Sequence, residues 1–226
     1  MRVALIIPAL NEEKAIGHVL RDIPSGICDQ VIVVDNGSTD RTAEVARAAG
    51  AIVLHEPRRG YGRACIKGIR HLQQSGNTDV LVFLDGDHSD HPDQLPELLA
   101  PIRSGKAELV IGSRLSGERE RGSMTLPQVF GNKLAVHLIR LLTGVRFTDL
   151  GPFRAIRFNR LLEMDLKEMA YGWTVEMQLK AANMKLPFAE VPVRYRNRIG
   201  TSKVSGTLKG TILAGWRILY TIARLR

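Results

Sequence analysis

Val80-Leu81-Val82-Phe83-Leu84-Asp85-Gly86-Asp87 is five apolar residues running into two acids separated by one glycine. A short, uninterrupted apolar run marks a strand buried on both faces, as in a parallel sheet; a half-exposed strand would alternate. Similar runs recur at residues 3–7, 31–34, 52–54 and 109–111. Between them lie helical stretches at 12–22, 41–49, 61–74 and 92–103. Thr39 or Asp40 suits the cap of the second helix, and Pro92 suits the first turn of the fourth. The β-α alternation predicts an α/β fold: a mostly parallel, doubly wound sheet with helices on both faces.

The second half of the chain is less regular. Helices are expected at 128–142 and 173–182, a short strand at 152–156, and an edge strand at 186–193, whose prolines suit an edge. Glycine-bearing polar loops are expected at 113–125 and 195–206. The organisation expected is one domain over 1–206, followed by an amphipathic basic helix at 207–226.

Composition narrows the classes. With 226 residues, 44% hydrophobic and 24% charged, the chain is globular, not disordered. Two cysteines, Cys28 and Cys65, make neither a disulfide framework nor a zinc site, and a reducing compartment is the simplest expectation. No apolar stretch is long enough to span a bilayer, and the N-terminus lacks a signal-peptide pattern, so the expected location is cytoplasmic, free or peripheral on the inner face of the plasma membrane. The net charge of +9 is unevenly placed. Residues 191–226 carry eight basic side chains and no acid, while the rest holds 24 basic and 23 acidic ones. A basic strip of this kind points to phosphates or an anionic membrane face. Nucleic acid is disfavoured: the strip has few aromatics for stacking and there is no helix-turn-helix signature.

In an open parallel sheet, ligands bind beyond the carboxyl ends of the strands. Asp35 follows the run at 31–34, and Asp85 and Asp87 follow the run at 80–84, so three acids share one rim. Asp85 and Asp87 suit Mg²⁺ or Mn²⁺, a hard cation that completes its shell with water and substrate phosphate oxygens. Gly86 is expected to let the backbone turn between them. His88 and His91 are nearby; a loop role and a ligand role for them both stay open. The phosphate-loop pattern is absent, and Gly60-Tyr61-Gly62 lacks the third glycine of a dinucleotide fingerprint.

The order Ile7-Pro8-Ala9-Leu10-Asn11-Glu12-Glu13, Asp35-Asn36-Gly37-Ser38-Thr39-Asp40, Asp85-Gly86-Asp87 and Gly112-Ser113-Arg114 resembles glycosyltransferase family 2, whose members have the GT-A fold. Asp149-Leu150-Gly151-Pro152-Phe153-Arg154-Ala155 and Arg198-Ile199-Gly200-Thr201-Ser202-Lys203 resemble its dolichyl- and polyprenyl-phosphate sugar synthase branch. The resemblance implies that Pro8, Leu10 and Glu12 line a nucleotide pocket and that Asp35 hydrogen-bonds the base. It implies that Asp85 and Asp87 hold the metal and donor diphosphate, and that Arg114 and Lys203 bind phosphates. Ser89 stands where that branch often carries Gln, with Asp90 or water to compensate.

The acceptor class decides what else is needed. A hydroxyl acceptor requires a general base, and Glu176 is the candidate; an ion pair with Lys180, four residues on, is its structural alternative. A lipid phosphate is already ionised and instead needs cations, which Arg194, Arg196, Arg198 and Lys203 would supply if the edge strand continues through them. Asp149 is read as structural, or as orienting Arg154. The function expected is inverting, metal-dependent transfer of a hexose from a nucleotide sugar to polyprenyl phosphate. Asp87, Glu176 and Arg114 are the catalytic candidates; Pro8, Leu10, Glu12, Asp35, Asp85, Arg198 and Lys203 are the binding ones. Transfer to a hydroxyl, or nucleotide-sugar binding without catalysis, are the alternatives. The last helix has Lys209, Arg217 and Arg224 beside Trp216, Tyr220 and aliphatics, a composition that suits a membrane interface, packing on the domain, or a second subunit.

Overall fold

The computed structural model describes residues 1–201 and 208–224. Its strands are β1 (Val3–Ala9), β2 (Gln30–Asp35), β3 (Ile52–His55), β4 (Val80–Phe83), β5 (Leu109–Ser113), β6 (Arg154–Arg157) and β7 (Phe188–Pro192). They form one sheet in the order β3-β2-β1-β4-β6-β5-β7. All neighbours run parallel except β6, which is antiparallel to both β4 and β5. The helices are α1 (Ile16–Arg21), α2 (Thr42–Ala48), α3 (Tyr61–Ser75), α4 (Leu95–Arg103), α5 (Leu126–Thr143), α6 (Phe158–Glu163), α7 (Trp173–Asn183) and α8 (Leu208–Arg224).

Both faces of the sheet are covered, which is why its strands read as continuous apolar runs. Ala4 and Ile6 of β1 join one core layer with Ala64, Cys65 and Leu72 of α3, Ile139 of α5, Trp173 of α7 and Ile222 of α8. Val3, Leu5 and Ile7 point the other way, onto Ile16 of α1, Ala46 of α2 and Leu98 and Leu99 of α4. Each fully buried aliphatic contributes about 1.5–3 kcal/mol.

The departures from expectation have local causes. The first helix starts later than residue 12, because the backbone of 11–13 is committed to the β2–α2 loop. Asn11 N–H donates to Ser38 Oγ (3.0 Å), Glu12 N–H to Thr42 Oγ1 (2.8 Å) and Glu13 N–H to Asp40 Oδ2 (3.2 Å). Asn11 accordingly sits at φ 54°, a conformation its side chain tolerates. The N-cap of α2 is Arg41, which makes no side-chain cap, in place of the expected Thr39 or Asp40; Asp40, one residue earlier, accepts from Thr42 N–H (3.0 Å). The fourth helix is preceded by a single 3₁₀ turn at Pro92–Gln94. β7 lies at an edge, paired with β5, where Pro192 removes no interior ladder bond.

Candidate active site

The carboxyl ends of β1, β2, β4 and β5 meet on one rim. Ala9 is in register with Asp35, and Asp35 with His55. Beyond β4, Gly86 passes close to β1: a Cβ there would lie 3.3 Å from the Pro8 carbonyl oxygen. Close approach is thus what Gly86 supplies; the left-handed turn falls at His88 (φ 65°).

A cleft of about 460 Å³ opens on this rim. Its walls include Pro8, Leu10, Glu12, Asn36, Arg59, Asp85, Asp87 and Arg198. A second cavity of about 290 Å³ adjoins it, walled mostly by apolar groups of Met124, Pro127, Leu150, Pro152 and Ile218, together with Arg114. Tyr61, Asp85 and Tyr171 line both, so they form the seam between a polar cleft and an apolar cavity.

Asp85 is half-buried at that seam. Burial, then the adjacent charge of Asp87, push its carboxyl up to about 7, against the opposing pull of the Tyr61 hydroxyl and of Arg114 and Arg198. Asp87 accepts from Ser89 N–H (2.9 Å) and Oγ–H (2.5 Å) with Oδ1, and its Oδ2 faces Arg198 Nη1 at 3.1 Å. Arg198 Nη2 donates to Glu12 Oε1 at 2.7 Å, so one guanidinium bridges both acids. Asp90 is buried behind them with Oδ1 unpartnered among the described residues, and burial, Asp85 and Asp87 raise its carboxyl strongly. Asp85 and Asp87 are the pair that could hold a divalent cation. Two clustered, desolvated acids favour one, and the absence of a third ligating side chain among the described residues fits a cation that draws on water and phosphate. His88 and His91 do not join: His88 Nε2 lies 2.8 Å from Asp22 and His91 Nδ1 lies 3.6 Å from Asp93.

Arg114 follows β5 into the apolar cavity. Asp149 holds it three ways, accepting from its N–H (2.7 Å), Nε (2.9 Å) and Nη2 (2.7 Å). Its guanidinium also lies 5.1 Å from the Tyr195 ring centre. Burial alone would raise the Asp149 carboxyl, but Arg114 outweighs it and holds it below its ordinary value. Asp149 therefore orients Arg114 and not Arg154. Arg154 is wholly buried and donates to the carbonyls of Gly151 (2.9 Å) and Leu150 (2.8 Å); its burial lowers it to about 10.

Two expected positions, Glu176 and Asp35, do not line the cleft. Glu176 is not at the cleft: its carboxylate accepts from Lys167 N–H (2.9 Å) and Glu168 N–H (2.6 Å) and pairs with Lys180 Nζ (3.0 Å). It anchors the segment that leads to Tyr171, and the i+4 ion pair is the part of its reading that the structure shows. Asp35 sits just behind the cleft wall, with Oδ1 on Ser38 N–H (3.0 Å) and Oδ2 beside His55 Nδ1 (2.9 Å). Lys203 lies outside the described residues. The arginine series does not share a face either, because β7 ends at Pro192. Arg194 pairs with Asp93, Arg196 with Asp22 (3.0 Å), and of the three Arg198 lines the cleft. Asn36 was not singled out in the sequence, yet it lies on the wall. Its Nδ2 donates to the carbonyls of Glu56 (3.1 Å) and Arg58 (2.9 Å) and its Oδ1 accepts from Gly60 N–H (2.7 Å), tying the β3–α3 loop to the end of β2. Its place directly after Asp35 was the available signal.

Comparison with known proteins assigns the family and the fold. The model of "Glycosyl transferase family 2" matches residues 4–164. An uncharacterised glycosyltransferase of Mycobacterium tuberculosis is 36% identical over 223 residues, covering 96% of this chain and 97% of its own. An undecaprenyl-phosphate mannosyltransferase of Micrococcus luteus is 35% identical over 223 residues, covering 93% and 90%. Among solved structures, glucosyl-3-phosphoglycerate synthase from Mycobacterium tuberculosis, in complex with Mn²⁺, UDP-glucose and phosphoglyceric acid, superposes with a TM-score of 0.76. It is 25% identical, over 99% of this chain and 79% of that one. The sheet and its flanking helices are thus the GT-A fold. A family model spanning most of the chain, and relatives alike from end to end, leave one assignment: the chain belongs to glycosyl transferase family 2 and is a glycosyltransferase.

Proposed function

We propose that this glycosyltransferase moves a hexose from a nucleotide sugar of the GDP-mannose or UDP-glucose type to polyprenyl phosphate, with inversion at the anomeric carbon. The observation that carries this reading is the seam: a polar cleft and an apolar cavity meet at Asp85, Tyr61 and Tyr171. The nucleotide would lie against Pro8 and Leu10, with Asp35 behind the wall, and the diphosphate near Asp85, Asp87 and Arg198. The first isoprene units would occupy the apolar cavity, with the acceptor phosphate on Arg114.

The chemistry then balances without a protein base. An ionised phosphate oxygen attacks the anomeric carbon, the bond from that carbon to the diphosphate oxygen breaks, and its electron pair leaves with the nucleoside diphosphate. A divalent cation at Asp85 and Asp87 would offset the charge developing on that diphosphate. Arg114, locked by Asp149, presents a fixed fork to the acceptor phosphate. Arg198 screens Asp87 and Glu12 in this structure and would exchange Asp87 for a donor phosphate oxygen. A hydroxyl acceptor is less well served: among the described residues, Asp85 is the one carboxylate lining the apolar cavity. The relative from Micrococcus luteus, by its name an undecaprenyl-phosphate mannosyltransferase, supports the same acceptor class.

The test is a panel of radiolabelled nucleotide sugars with Mn²⁺ or Mg²⁺ and a short-chain polyprenyl phosphate. Label passing into an organic-extractable, acid-labile product is the expected result and identifies the donor. Donor turnover that labels only water-soluble hydroxyl acceptors would overturn the proposal.

A further inference from the structure

We infer that Asp22, at the end of α1, and Arg196, beyond β7, are positioning residues: together they fix the turn that carries Asp87, and so set its carboxylate for the cation and Arg198 for the donor diphosphate. Neither residue lines the cleft. The two stand 174 residues apart in sequence, so only the fold makes them a pair. The inference rests on the reading of Asp85 and Asp87 as the cation's ligands.

The turn after β4 needs holding. His88, directly after Asp87, sits at φ 65°, a conformation that a residue with a side chain keeps only where its surroundings dictate it. Four successive carbonyls of this turn are held by the segment beyond β7. The Asp87 carbonyl accepts from Ile199 N–H (3.0 Å) and the Ser89 carbonyl from Arg196 N–H (2.9 Å). The Arg196 side chain takes the other two: Nε donates to the His88 carbonyl (2.6 Å) and Nη2 to the Asp90 carbonyl (3.2 Å). One residue thus grips three consecutive peptide units of the turn. Two residues further on, the same backbone brings Arg198 to Asp87 Oδ2.

Asp22 aims that grip. Its Oδ2 accepts from Arg196 Nη2 (3.0 Å) and lies 2.8 Å from His88 Nε2, so one oxygen ties the arginine to the ring of a residue it holds. His18, one helical turn earlier on α1, packs its ring against His88 with centres 5.4 Å apart. The side chains of His88 and Arg196 are only 14% and 19% exposed, which limits competition from water. Groups of this kind, one layer behind the ligands of a metal, orient those ligands and tune its affinity. Loss of Asp22 would release the His88 ring and one arm of Arg196. Loss of the Arg196 side chain would release two carbonyls as well, and so should cost more.

The experiment titrates the full chain with Mn²⁺ by electron paramagnetic resonance, alone and with UDP or GDP, and reads the number of sites and their Kd separately. R196A should weaken the Kd by about tenfold or more, and D22A by several-fold, with the number of sites per chain unchanged. R196K should behave like R196A, because one ammonium cannot span the acceptors that the guanidinium fork reaches. D22N should recover most of the loss of D22A, because its amide oxygen can still meet both partners. D22A/R196A should fall short of the product of the two single losses, since both act through one turn. A wild-type Kd in R196A and D22A overturns the inference. So does a loss confined to the number of sites and the melting temperature, which is what a pair that merely supports the fold would give. D87N separates this inference from the reading beneath it. If D87N binds Mn²⁺ like wild type, the cation reading fails; if D87N loses the ion while R196A keeps a wild-type Kd, the positioning role alone fails.

Discussion

Arg114 and Asp149 are a buried ion pair whose partners stand 35 residues apart in sequence, at one wall of the apolar cavity. Removing one partner leaves the other buried and uncompensated, so D149N should lose about 3–5 kcal/mol of stability and, by freeing the Arg114 fork, also raise the KM for the acceptor. The pH dependence follows from the direction of the shift. The Asp149 carboxyl is held below its ordinary value of 3.8, so the pair's contribution is complete above that pH and is lost as pH falls through the folded value. Denaturant unfolding of wild type and D149N from pH 7 downward should therefore show a gap that closes only below 3.8. In the donor cleft, D87N should abolish Mn²⁺ binding as read by electron paramagnetic resonance and lower turnover by roughly 10²–10³. R198A should bind Mn²⁺ alone more tightly than wild type, since Asp87 loses an internal counter-ion, yet bind the nucleotide sugar more weakly. At this scale the sequence placed Asp85 and Asp87 on the rim, since they directly follow a buried strand, but Asp35, which also ends one, holds Ser38 N–H and His55 behind the wall. It did not reveal which cation each acid meets. That pairing is set by tertiary packing, as Asp149 shows by taking Arg114 over the nearer Arg154.

At the scale of elements, α7 explains why Glu176 misled. A helix that is buried almost all round presents no apolar stripe from which to infer which side faces a site. Glu176 instead holds the amides of Lys167 and Glu168, and the following carbonyls lie against α3, where a Cβ on Gly62 would come 2.0 Å from the Glu168 carbonyl oxygen. E176Q should therefore lower the melting temperature by several degrees, corresponding to about 1–3 kcal/mol, while leaving kcat within a few-fold. G62A should be worse on both counts, because the backbone carrying Tyr171 must move. The arginine series after β7 was legible as charge but not as geometry: period-two alternation holds only while the strand continues, and it stops at Pro192.

On the scale of the whole molecule, the fold was legible because two-sided burial writes itself into uninterrupted Val, Ile and Leu runs, while the apolar cavity was not, since it exists only where α5 and α8 come together. Among the described residues no helix is long and apolar enough to cross a membrane. In the proposed reaction the acceptor brings its own ionised oxygen and the enzyme supplies cations, not a base. The most direct measurement compares the initial rate of labelled-sugar transfer to a short-chain polyprenyl phosphate with that to the matching polyprenol. The expected result is an acid-labile labelled product from the phosphate and none above background from the alcohol. Comparable labelling of the alcohol would contradict it, and would require a general base, a role for which Asp85 is the one carboxylate lining the apolar cavity among the described residues.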